Sequence, residues 1–225
     1  MNWIKELYTI PVWKKYSQCN EECYLEHILK NIPVPTKMIV ELGAWDGYHL
    51  SNTRHFIEKG YSALLIDGDN KGNDEVKLHF VDRDSVLGIL EMYKTPKYFD
   101  LFCIDLDGND IYILEKVLSE YKPSVIIAEF NPIFPMGESK AITYNPNHTW
   151  NNDDYYGFSF SAGIKLAERF GYTCIFQNDN LNMYFVENNV LTESLFGSED
   201  KAIPAVPYRI DHGHAAALNP QWINY

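Results

Sequence analysis

One stretch, MIVELGAWDGYHLSNTRHFIEKGYSALLIDGD at residues 38–69, restricts this chain to very few folds. It reads as strand, glycine turn, helix and strand, closed by an acid. Residues 38–42 form a short apolar run with a single acid, too short for a helix and suited to a buried parallel strand. Gly43 and Gly47 bracket a tight turn in which backbone is free to approach a ligand, because neither carries a Cβ. Over 48–59 the spacing predicts a helix with Leu50, Phe56 and Ile57 inward and Arg54, Glu58 and Lys59 outward, ended by Gly60. The next strand is 62–66, and Asp67 stands at its C-terminal end, where ligands of open parallel sheets bind. An acid roughly 20 residues past such a turn is placed to accept from both hydroxyls of a ribose. The plainer alternative is a glycine turn that merely precedes a helix. The turn lacks the third glycine of a G-x-G-x-x-G array, and Asp46 within it would repel a pyrophosphate and welcome a cationic or amino-acid ligand. The pattern therefore leans away from a nicotinamide dinucleotide and towards S-adenosylmethionine.

The remaining chain repeats the alternation. Residues 1–16 suggest an aromatic-rich helical or irregular arm, and Ser17 is a candidate N-cap for a helix to about Asn31, stopped by Pro33 and Pro35. Strands are expected at 76–81, 98–105 and 124–130, and helices at 86–93, capped by Asp84 or Ser85, and 111–121. Residues 131–155, NPIFPMGESKAITYNPNHTWNNDDY, have neither period and suggest a functional or mobile segment. A helix over 156–170 ends at Gly171, and two strands, 172–177 and 181–187, are joined by an NDN turn that reads as a hairpin. The expected fold is α/β, a Rossmann-like, doubly wound seven-stranded sheet, mostly parallel with an antiparallel last strand. An N-terminal helical arm (1–36) precedes the sheet domain (37–190), whose insertion at 131–155 reads as a substrate lid, and a C-terminal extension (191–225) follows.

Charge narrows the function. At 225 residues the chain is one domain with small appendages, and its formal net charge of −12 argues against nucleic acid or an anionic membrane as partner. No run approaches the ~18 apolar residues of a membrane span, and the N-terminus is broken by charge and Pro11, unlike a secretory signal. Four cysteines fit a reducing, cytoplasmic setting; Cys19 and Cys23 are spaced to share a helix face rather than a zinc ion.

Five short motifs in order carry a resemblance: SQCNEE (17–22), VELGAWDGYHLSNT (40–53), LLIDGD (64–69), CIDLDGNDIYILEKVL (103–118) and IIAEFN (126–131), followed by Trp150 and YYGFSFSAG (155–163). With these the chain resembles class I S-adenosylmethionine-dependent methyltransferases, and among them the FkbM-type enzymes, over roughly residues 17–187. The resemblance implies that Glu41, Gly43, Ala44 and Gly47 shape the pocket for the methionine part of S-adenosylmethionine and that Asp67 holds its ribose. Gln18 and Glu21 match the family's opening motif and would close the pocket from the side. Asp82, just past the third strand, either accepts from the adenine amino group or caps the next helix.

Strands four and five should be neighbours, so Asp105, Asp107 and Glu129 converge at their ends; Asp105 and Asp107 share a side if the chain stays extended there. With the amide oxygens of Asn109 and Asn131 they suit a hard ion such as Mg²⁺. Asp105 and Asp107 would otherwise act as bases for methyl transfer to oxygen, or Asp107 and Asp110 would merely cap the next helix. DLDGND is not a calcium loop, since glycine falls fourth rather than sixth and Lys116 stands where the closing Glu belongs. In the lid, Asn131, Tyr144, Trp150, Tyr155 and Tyr156 suit stacking on and hydrogen-bonding a sugar or other polyol, and His148 is a base or an exposed histidine. The expectation is a methyltransferase acting on a small polar or glycan acceptor, the alternative a non-catalytic nucleotide- or carbohydrate-binding protein on the same fold.

Overall fold

The computed structural model describes residues 2–225. Seven strands form one sheet: β1 (Met38–Leu42), β2 (Ser62–Asp67), β3 (Val76–Leu78), β4 (Tyr98–Ile104), β5 (Lys122–Glu129), β7 (Tyr172–Asn178) and β8 (Asn182–Glu187), in the order β3-β2-β1-β4-β5-β8-β7. All pairings are parallel except those of β8, the last strand of the sheet in chain order. The reversed strand is not the edge, however: β8 is inserted between β5 and β7, and the hairpin turn places β7 outermost.

Strand periodicity sorts the core into two faces. Val40, Leu42, Phe102, Ile104, Ile126 and Ala128 pack beneath α4 (Val86–Met92), α5 (Asp110–Leu118) and α6 (Phe160–Phe170). The alternate residues Ile39, Leu101, Cys103, Val125 and Ile127 pack against α1 (Trp3–Glu6), α2 (Glu21–Asn31), Phe56 of α3 (Arg54–Glu58) and α7 (Asn188–Ser194). The N-terminal arm is thus one side of the core, with Trp3, Ile4 and Leu7 buried.

Several local expectations are corrected. The helix expected over 48–59 is only α3, because Leu50 takes a left-handed φ of 57° and turns outward, while Arg54, expected outside, is buried and paired with Glu75 (2.6 Å). Asn20, not Ser17, precedes α2; the buried Ser17 hydroxyl hydrogen-bonds Glu22 instead. Cys19 therefore lies ahead of the helix and shares no helical face with Cys23. Ser159 caps α6, its oxygen accepting from the Ala162 N–H, which delays that helix to residue 160. The segment 131–155 is not free of regular structure: β6 (Lys140–Ile142) pairs antiparallel with β9 (Trp222–Asn224) of the C-terminal extension.

Candidate active site

The strand order reverses direction between β1 and β4, and a cavity of about 790 Å³ opens at the C-terminal ends of β1, β2, β4 and β5. Its floor begins at Gly43, with φ at +87°, where an added Cβ would lie 1.6 Å from the Asp105 carbonyl oxygen. Glycine is required there because two chain segments share the space. The N–H groups of Gly43 and Ala44 donate to the Ile66 carbonyl (3.0 and 3.1 Å), tying the turn to β2. Asp67 lines the cavity beside it; its carboxylate accepts from the N–H of Trp45 (2.7 Å) and of Asp69 (2.8 Å), which orients it and leaves lone pairs for further donors. Phe80 and Val81 wall the same end.

Other residues expected at the cofactor are occupied elsewhere. Glu41 points to the opposite face of β1 and binds the 51–53 loop, accepting from the Ser51 hydroxyl (3.3 Å), the Asn52 N–H (3.2 Å) and the Thr53 hydroxyl. Burial pushes its carboxyl pKa up against those hydrogen bonds. Gly47 serves the turn, where a Cβ would meet Val76 at 3.1 Å. Asp82 does not line the cavity; it accepts from the N–H groups of Asp84 (2.8 Å) and Ser85 (2.7 Å), closing the turn that leads into α4, whose N-cap position is Ser85. Asp46 accepts from the N–H groups of Tyr48 and His49 and does not line the cavity, whereas Asp67, at the end of β2, does. Of the opening motif, Gln18 lines the cavity, whereas Glu21 is fully buried against Asn178 (3.0 Å) and Asn182 (3.1 Å), pinning the N-terminal arm to the β7–β8 turn.

The acids converge as the register dictates. Ile104 pairs with Ala128, so the next residues, Asp105 and Glu129, emerge side by side from adjacent parallel strands. Asp107 joins them by a different route from the extended backbone expected: its φ of 51° turns the chain back. One carboxylate oxygen from each of the three lies within 4.8 Å of the others. Desolvation and repulsion from neighbouring carboxylates push Asp105 and Glu129 well above the usual carboxylate range, and desolvation with repulsion from Asp110 and Asp67 pushes Asp107 up to about 6. Asp110, buried nearby and adding to the repulsion, accepts from the N–H groups of Leu106 (2.7 Å) and Gly108 (2.8 Å) to close the loop.

The lid contributes selectively. His148, Trp150 and Tyr156 line the cavity. The His148 ring rests where a side chain on residue 108 would be, 2.5 Å from a hypothetical Cβ on Gly108, and its buried Nε2 has no hydrogen-bond partner among the described residues. Asn131 is neither a metal nor a substrate group: its amide donates to the carbonyls of Asp154 (2.8 Å) and Tyr156 (3.0 Å), and its oxygen accepts from Ile133 N–H. Tyr144 lies outside the cavity under Arg83 (4.2 Å), and the Tyr155 hydroxyl is held between Thr143 and Gln221. Sequence reasoning did not assign Trp45, His49, Phe80, Leu181 or the tail's His214 to this cavity. Trp45 sits within the glycine turn and His49 two residues past it, so both were legible from it; His214 has no local pattern to announce it.

Among the cavity-lining residues are five carboxylates (Asp67, Asp69, Asp105, Asp107, Glu129) and three histidines, with no lysine or arginine. Such walls favour cations and hydroxyl donors and disfavour phosphates.

No family model matches this chain, and no curated protein matches it. Among solved structures it is similar to an O-methyltransferase family protein from Burkholderia thailandensis (7% identity, TM-score 0.38, covering 74% of this chain and 56% of that one). It is also similar to a presumed O-methyltransferase from Klebsiella pneumoniae (15% identity, TM-score 0.42, covering 82% and 88%). The chain spans a little over half the length of the first.

Proposed function

We propose that this chain is an S-adenosylmethionine-dependent methyltransferase of the FkbM type, transferring methyl to a hydroxyl of a small polar or sugar-containing acceptor. One observation carries the reading: a single cavity joins a ribose-competent acid, Asp67, to a trio of carboxylates, with no cation for a pyrophosphate. The residues fit the cofactor. Asp67 has unspent lone pairs, Phe80 offers an aromatic wall, and the acidic lining suits a cationic sulfonium and ammonium. When bound, S-adenosylmethionine supplies an electrophilic methyl group. The chain's own part is to orient the acceptor and take its proton. Asp105, Asp107 and Glu129 would hold Mg²⁺, whose charge lowers the pKa of a bound hydroxyl, and His148 Nε2 stands free at the same cavity to receive the proton.

The partners follow from charge: an acidic cavity in an acidic chain is poorly suited to nucleic acid. No helix among the described residues is long and apolar enough to cross a membrane, and four free thiols suit the cytoplasm.

Calorimetry with S-adenosylmethionine and with NAD tests the reading. Binding of the first and not the second is expected, followed by transfer of labelled methyl to a hydroxyl-bearing acceptor. Binding of neither would leave the fold as a non-catalytic carbohydrate-binding protein; binding of NAD alone would make it a dehydrogenase.

A further inference from the structure

Resting on that reading, we infer that the C-terminal tail builds one wall of the acceptor site through His214, and that the acceptor seated there is a sugar ring that carries no anionic group. His214 lies in a stretch without helix or strand, yet it lines the same cavity as the carboxylate trio. Its ring centroid is 5.0 Å from that of Trp150 and 5.8 Å from that of Tyr156, each at an interplanar angle of 88°. Trp150 and Tyr156 are 6.1 Å apart at 68°. Three rings set nearly at right angles make an open corner rather than a stack, so ring surface remains for a ligand.

The corner is built by the backbone. Residues Asp153 and Ala215 form a parallel bridge, Asp154 N–H donates to the Ala215 carbonyl (2.9 Å), and Ala217 N–H donates to the Asp154 carboxylate (2.8 Å). The Trp150 indole N–H donates to the Asp153 carbonyl (2.7 Å), fixing lid and tail to the same point. Tyr156 is only 6% exposed and lines the cavity with the other two rings.

Charge selects among ring-shaped ligands. A phosphorylated, sulfated or uronic sugar would bring a second anion among five carboxylates with no lysine or arginine to meet it. A neutral sugar brings hydroxyls that donate to carboxylates and a C–H face that packs on Trp150.

The test uses the full chain saturated with S-adenosylhomocysteine, presented to immobilised neutral, amine-bearing, sulfated and uronic sugars. Binding of neutral and amine-bearing sugars, and not of sulfated or uronic ones, is expected. It should weaken about tenfold in Trp150→Ala and His214→Ala, and survive in His214→Phe, which keeps the ring. S-adenosylmethionine affinity, measured by calorimetry, should be unchanged in all three variants. A preference for anionic sugars, binding of no sugar at all, or undiminished binding in His214→Ala would each overturn the inference. Failure of the parent chain to bind S-adenosylmethionine would instead remove the methyltransferase reading, an outcome the sugar panel does not mimic.

Discussion

At Gly43 and Asp67, substitution separates a role in folding from a role in binding. Gly43 combines a positive φ with a Cβ position already filled by the Asp105 carbonyl, so no rotamer relieves the overlap in Gly43→Ala. Gly60, at φ +88°, has nothing within 4 Å of its Cβ position and serves as the control for backbone strain alone. Urea titration should show a loss of about 1 kcal/mol for Gly60→Ala and at least ~3 kcal/mol for Gly43→Ala. Equal losses would mean that the contact with Asp105 is readily relaxed. Asp67→Ala is the binding counterpart. It removes a charged acceptor, and such hydrogen bonds are worth ~1.5–3 kcal/mol, so S-adenosylmethionine affinity should fall by about one to two orders of magnitude in a folded protein. An unchanged calorimetric affinity would take the ribose away from Asp67. Both residues were legible from residues 38–69, because strand ends and glycine turns are local features. Glu41 was misassigned for an equally local reason: alternation along β1 turns its side chain to the face opposite Leu42.

Between the strands, the lid divides into fastened and free parts. Asn109 and Asn145 exchange hydrogen bonds (2.7 and 3.3 Å), the Tyr112 hydroxyl donates to the Ile142 carbonyl (2.7 Å), and Gly157 N–H donates to Gly108 (3.1 Å). With β6 held by β9, these ties fix 140–145 and 153–158, and the candidate moving part shrinks from the whole insertion to 146–152, which carries His148 and Trp150. Hydrogen exchange should therefore be slow at 141–142 in the free protein and fast at 146–152, slowing there once S-adenosylhomocysteine and an acceptor are both present. Uniformly slow exchange across 140–158 in the free chain would rule out a moving tip. The sheet and its flanking helices could be read from periodicity, which is why strand boundaries needed only small changes. β6 and β9 could not, since two three-residue strands 80 residues apart have no period to detect and exist only through their pairing. The same distance in sequence hid His214.

Over the whole molecule, the acid trio couples stability to pH. Carboxyls held above their unfolded pKa bind protons more tightly when folded, so folding is favoured as pH falls and weakened as pH rises through the folded value. For Asp107 that window runs from its ordinary 3.8 to about 6, and Asp105 and Glu129 extend it upward. The net charge of −12 adds self-repulsion of the same sign at neutral pH. Acids whose pKa is lowered in the folded state, Asp46 and Asp82 among them, act oppositely, and their contribution is lost only below the ordinary carboxylate range. In chelator, the chain should thus be most stable near pH 5 and lose about 1–2 kcal/mol by pH 7.5, a fall in Tm of a few degrees. Asp107→Asn should flatten part of that slope by raising stability at pH 7.5 and leaving pH 5 nearly unchanged. Mg²⁺ should raise Tm at pH 7.5, where the trio is ionised more fully, and much less at pH 5, where protons compete for the same oxygens. A flat profile in chelator would show that the three carboxylates do not crowd one another. An equal Mg²⁺ effect at both pH values, or one undiminished in Glu129→Gln, would place the ion elsewhere and leave His148 as the group that takes the acceptor's proton.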